Sequence, residues 1–132
     1  MGKIIGLLTI IIVLCLSCKE KKQTQEQPAA GTKIEFKQNN FSFGEIAEGE
    51  IVTHSFYFKN IGEQNFVIKN IDSGCGCTTV NYDKTPLKPG KEGKIEIEFN
   101  SSGRYGKQYK EISIFANVPE KVITLKFTAS VK

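Results

Sequence analysis

The chain has 132 residues, enough for one domain, and carries 18 basic against 14 acidic side chains for a net charge of +4. Lysines and glutamates alternate along it instead of clustering, and no basic stripe is interleaved with aromatic residues, so nucleic acid is excluded as a partner. With four cysteines, one histidine, one methionine and no tryptophan, the residues able to carry chemistry are few.

The amino end reads as an export signal. Ile4 to Leu16 is a nearly unbroken apolar run behind Lys3, too short to span a bilayer but suited to the hydrophobic region of a signal peptide. It ends at Leu14-Cys15-Leu16-Ser17-Cys18, where a small residue stands directly before a cysteine. This arrangement resembles a bacterial lipoprotein processing site, with Cys15 in a place where a branched aliphatic residue is usual. The expectation is therefore a signal peptide over residues 1–17 and a mature chain beginning at lipid-modified Cys18. Acyl chains would hold it to a membrane of the bacterial envelope, the outer one by expectation, outside the cytoplasm where thiols can oxidise.

Residues 18–32 follow as a tether. After Cys18, the stretch KEKKQTQEQPAAGT contains nothing aliphatic larger than alanine and no aromatic residue, so it buries too little surface to offset its chain entropy.

From Lys33 to the end, residues 33–132, apolar residues recur with a period of two. Alternation is expected to give strands at Lys33–Phe36, Phe41–Phe43, Ile51–Lys59, Phe66–Ile71, Ile95–Phe99, Tyr109–Ala116 and Val122–Val131. The connectors Asn60–Glu63, Pro86–Gly90, Gly103–Gly106 and Asn117–Glu120 are rich in Gly, Pro and Asn, which favour turns. No stretch has apolar spacing of three and four over a helix's length. About seven strands in roughly 100 residues predict an all-β fold, a single immunoglobulin-like antiparallel β-sandwich.

Two further observations narrow the fold. The motifs Asn40-Phe41-Ser42-Phe43-Gly44-Glu45-Ile46, Phe56-Tyr57-Phe58-Lys59-Asn60-Ile61-Gly62, Ser73-Gly74-Cys75-Gly76-Cys77-Thr78 and Pro86-Leu87-Lys88-Pro89-Gly90 occur in that order. Over residues 34–131 they resemble a bacterial family known only as domain of unknown function 1573, common in lipoproteins and exported proteins of Bacteroidetes-like bacteria. The phenylalanine, Asn-x-Gly and Pro-Gly elements are similar, more loosely, to domains of the major-sperm-protein and abnormal-spindle/hydin type. The resemblance implies a fold and a location but no established activity.

With Cys15 and Cys18 assigned to export, Cys75 and Cys77 remain for chemistry. Three readings compete. A disulfide over so short a separation needs a bent backbone, which Gly76 can allow. Burial as two small apolar side chains ranks second. A soft-metal site for copper or zinc ranks third, because His54 reads as a strand-end core residue and no methionine survives processing. No metal or cofactor is therefore expected. Catalytic thiol chemistry wants a helix terminus or a nearby histidine, and the sequence shows neither beside the pair. Arg104 and Tyr105, on a Gly-bounded turn, are of the types favoured at interfaces. No serine–histidine–acid order, carboxylate pair or nucleotide fingerprint occurs. The expected function is non-enzymatic binding or assembly in the envelope by a monomeric, membrane-tethered domain with an unidentified protein partner. The alternative is thiol-redox or metal handling at Cys75 and Cys77.

Overall fold

The computed structural model describes residues 31–132. The signal peptide, Cys18 and the tether as far as residue 30 lie outside the described residues.

Eight strands occur in chain order: β1 (Ile34–Phe36), β2 (Asn40–Ile46), β3 (Ile51–Asn60), β4 (Ile68–Asp72), β5 (Thr78–Tyr82), β6 (Glu92–Asn100), β7 (Gly106–Ala116) and β8 (Val122–Val131). They form two four-stranded sheets, ordered β1-β3-β6-β5 and β2-β8-β7-β4. The period of two in the sequence becomes the inside and outside of this sandwich. Phe56, Ile95, Ile97 and Phe99 from the first sheet meet Ile112, Ile114, Leu125 and Phe127 from the second, each of them 0–1% exposed. Their intervening neighbours, such as Tyr57, Glu98 and Lys126, face solvent.

The architecture is the expected all-β sandwich, with two departures in detail. There are eight strands instead of about seven, the addition being β5, which pairs with β6 from Thr78↔Phe99 to Tyr82↔Ile95. Its inward positions begin with a threonine, so alternation alone did not mark it. The second departure is that one pair is parallel. The chain enters the first sheet as β1, antiparallel to β3, then crosses at Lys37–Asn39 and continues in the second sheet as β2, parallel to β8. The register shifts between Ser42 and Glu45, where Gly44 adopts φ 72°.

The fold also begins slightly before Lys33. Thr32, expected at the end of the tether, is 2% exposed, and Gly31 O accepts a hydrogen bond from Glu63 N at 2.7 Å. Opposite it, a Cβ on Gly62 would collide with the Gly31 carbonyl oxygen, which accounts for glycine in the Asn60–Glu63 turn.

Candidate functional site

The Ser73–Thr79 stretch, singled out by its cysteines, is the corner at which the chain passes from β4 in the second sheet to β5 in the first. Asp72 Oδ1 accepts from Gly74 N at 2.8 Å, and Ser73 Oγ donates to Cys75 O at 3.2 Å. Gly74 takes φ 68° and starts the bend, and Gly76 follows inside the turn between the cysteines. Thr78 N then donates to Cys75 O at 3.5 Å, closing a turn, and Cys75 and Cys77 are joined in a disulfide. Both are half-buried, and Cys77 packs against the core. The Thr78 hydroxyl lies 3.7 Å from one sulfur and 3.8 Å from the other.

The residues that would tune a thiol are elsewhere. His54 on β3 sits across β6 from β5, in the row His54↔Ile97↔Val80. Two strand spacings, about 10 Å, separate it from β5. It is half-buried in mid-strand instead of at a strand end, stacked on Phe41 with ring centroids 3.6 Å apart and planes 7° from parallel. Burial holds its pKa below the ordinary value. Among the described residues, no group of three or more His, Cys, Asp and Glu side chains is placed to hold a metal ion.

Arg104 and Tyr105 do share an end of the sandwich with the cysteine turn. Asn100 N donates to Cys77 O at 3.0 Å, and the β6–β7 turn follows one residue later. The pair does not present one surface, however. Arg104 is half-buried, with Nε enclosed and unpartnered among the described residues, whereas Tyr105 is 71% exposed. Nearby Lys110 has its amine pKa lowered by burial and then by the Arg104 charge. Asp72 stands in the same corner and Glu48 Oε1 accepts from Gly103 N at 2.7 Å in the β6–β7 turn, so charges of both signs flank the neutral disulfide.

Sequence reading missed a groove of about 710 Å³ between β1 and the start of β8. It exists because the first strand changes sheets, a topological event that hydrophobic alternation does not encode. The available signal was the polar Lys37–Asn39 break between two short apolar strands.

Comparison with known proteins places this geometry in context. No curated protein sequence matches the chain. Among solved structures, a protein of unknown function from Porphyromonas gingivalis W83 superimposes with a TM-score of 0.67 at 20% identity, covering 79% of this chain and 49% of that one. The PapD-like domain 7 of human CEP192 matches with a TM-score of 0.55 at 16% identity, over 84% of this chain and 90% of that one. The VesB protease of Vibrio cholerae matches at 0.61 and 13% identity, over 76% and 32%. The chain thus spans about half the length of the Porphyromonas protein, and these likenesses concern the fold alone. The family model described as protein of unknown function (DUF1573) matches residues 34–131, nearly the whole sandwich, and the chain belongs to that family.

Proposed function

We propose that this chain is a cell-envelope lipoprotein whose sandwich is a binding and assembly module without catalysis of its own. Lipid on Cys18 anchors it, and residues 19–30 link the anchor to the domain. The observation that carries the binding reading is the set of open strand edges. Each sheet ends in two edge strands, β1 and β5 in one and β2 and β4 in the other. Such edges present unpaired N–H and C=O groups that a partner's strand can complete. The likeness to a PapD-like domain, matched over 90% of its length, supports reading the sandwich as a self-contained module.

The anchor is tested by Cys18→Ala. This variant is expected in the soluble fraction, and unchanged membrane fractionation would refute the lipoprotein assignment. Capture of a specific envelope protein by the tagged wild type tests the binding role; repeated failure to enrich any partner from detergent extracts counts against it.

A second reading rests on the Cys75–Cys77 disulfide itself, which lies at a half-exposed corner. A dithiol of the envelope can reduce it to two thiols, with its own two sulfurs oxidised to a disulfide in exchange. Intact-mass measurement with and without reductant reports the two hydrogens gained. Equal zinc and copper(I) binding by wild type and the Cys75→Ser, Cys77→Ser variant would eliminate metal handling at this pair.

A further inference from the structure

The change of sheets by the first strand leaves a strand-wide lane empty beside β8. β2 pairs with β8 only from Lys126 onward, so Val122–Leu125 has no strand on that side among the described residues. Hydrogen-bond direction shows which groups face the lane. Ala116 N donates to Lys121 O at 3.1 Å, while Lys126 N donates the other way, to Asn39 O at 2.9 Å. Because direction alternates along a strand, the odd-numbered residues here bond β7, and the N–H and C=O of Val122 and Thr124 turn into the lane. On the opposite wall, Lys33 O accepts from Ile61 N, and Lys37 N donates to Tyr57 O. By the same alternation the backbone groups of Ile34 and Phe36 face away from β3 and toward the open side.

Two further features of this groove point to a ligand. Thr32 lines it, is 2% exposed, and its Oγ1 has no partner among the described residues. A buried hydroxyl left unpaired is costly, which makes a partner there favourable. Glu63, Glu120 and Lys33 also line the groove, two carboxylates against one amine, and none of the three takes part in an ion pair among the described residues. The walls between are apolar, formed by Ile34, Phe36, Val122 and Ile123.

We propose that this groove takes one short extended strand of another protein. That strand pairs with Val122 and Thr124, sets an apolar side chain against Ile34 and Phe36, and places a basic side chain near Glu63 and Glu120. The lane runs from the Pro119–Glu120 turn to Asn39, room for about four residues at roughly 3.3 Å each. With Glu63 and Glu120 against Lys33, the rim carries a net charge of about −1 and favours a basic over an acidic strand. The chain's own residues 19–30 are the wrong occupant, since they contain nothing aliphatic larger than alanine to fill the apolar wall. This inference rests on the binding reading above and names the site and ligand class for it.

The test uses the full-length lipidated protein in detergent and a fluorescent, end-blocked peptide KVTVTK, read by anisotropy. Saturable binding is expected, weakened at least about tenfold by Thr124→Pro, which removes a lane-facing N–H and obstructs pairing. Glu63→Gln with Glu120→Gln, and separately the peptide EVTVTE, should each bind about fivefold more weakly. The peptide KVPVTK should bind far less well than KVTVTK. If Thr124→Pro does not fold by circular dichroism, the glutamine pair and KVPVTK decide the question. Absence of saturable binding up to about 1 mM overturns the proposal, as does binding indifferent to both sets of variants. A concentration-dependent dimer that Thr124→Pro abolishes would show a second copy in the groove and would also overturn it. Equal capture of an envelope partner by wild type and Thr124→Pro removes the groove but leaves the binding module standing. KVTVTK binding without any envelope partner does the reverse.

Discussion

Asn60 is 0% exposed and carries a carboxamide into the interior, which is tolerable only because every polar atom there is used. Its Nδ2 donates to Gln64 O at 2.8 Å and Leu87 O at 2.9 Å, and its Oδ1 accepts from Gly62 N at 3.0 Å. One side chain thus ties the β3 terminus to two separate loops. Asn60→Ala leaves Gln64 O without its partner, while Leu87 O keeps Phe66 N and Gly62 N keeps Lys33 O, and the loss is expected to cost about 1–3 kcal/mol, read from the urea midpoint. A loss under about 0.5 kcal/mol would show that water replaces the carboxamide. His54 is a residue whose contribution depends on pH. Its ring stacks on Phe41, and its Nε2 lies 2.9 Å from Gln38 Nε2, a contact that is a hydrogen bond only while Nε2 carries no proton. Because burial lowers its pKa in the folded state, the unfolded chain binds protons more readily. The stability that His54 confers is present above the unfolded value of about 6.5 and is lost as pH falls through the folded one. His54→Phe keeps an aromatic ring on Phe41 and removes the titration. Its melting temperature is expected to change less between pH 7.5 and pH 5 than that of the wild type, and identical slopes would refute the assignment.

At the scale of elements, the sequence and the structure agree wherever an apolar stripe is long. β3, β6, β7 and β8 are visible as Val52/Phe56/Phe58, Ile95/Ile97/Phe99, Ile112/Ile114 and Leu125/Phe127, because each inward side chain is large and each outward neighbour polar. β5 was hidden because its buried leading residue is Thr78, and Phe66 falls short of β4, making only an isolated bridge with Leu87. The parallel β2–β8 pair and the groove beside it were equally hidden, since pairing partners distant in sequence leave no local period. For the cysteine corner, the pair and the turn at Gly76 are legible in the sequence, whereas the second bend at Gly74, with its positive φ, is not. The disulfide closes a loop of only three residues, so the chain-entropy argument assigns it under about 2 kcal/mol. The corner is independently held by Asp72, Ser73 and the Cys77–Asn100 bond. The Cys75→Ser, Cys77→Ser variant is therefore expected to stay folded, with a urea midpoint lowered by less than that amount. Complete unfolding on reduction would mean that the corner depends on its covalent link.

For the whole molecule, the two sheets share one interior in which aromatic rings cross among the aliphatic side chains. Phe127 of β8 meets Phe99 of β6 edge-on at 5.4 Å and Phe43 of β2 at 5.7 Å, so it touches both layers and the strand that changes sheets. It is 1% exposed, with Leu125 and Ala129 buried beside it on the same strand. A domain of roughly 100 residues has only about 5–15 kcal/mol of net stability, and no tryptophan or disulfide staples one sheet to the other. Removing a central ring leaves a cavity that a close-packed interior closes only partly. Phe127→Ala is therefore expected to cost about 3–5 kcal/mol, a large share of the total. Since one core serves both sheets, the loss should appear as a single shifted transition in urea. Far-ultraviolet dichroism, reporting strands, and tyrosine fluorescence, reporting packing, should move together. Tyr109→Ala, at a site 71% exposed on the outer face of β7, is the matched control and should leave the midpoint within about 0.5 kcal/mol. Two separated transitions in Phe127→Ala would show that the sheets hold together independently, and that the interior is not the single cooperative unit its packing describes.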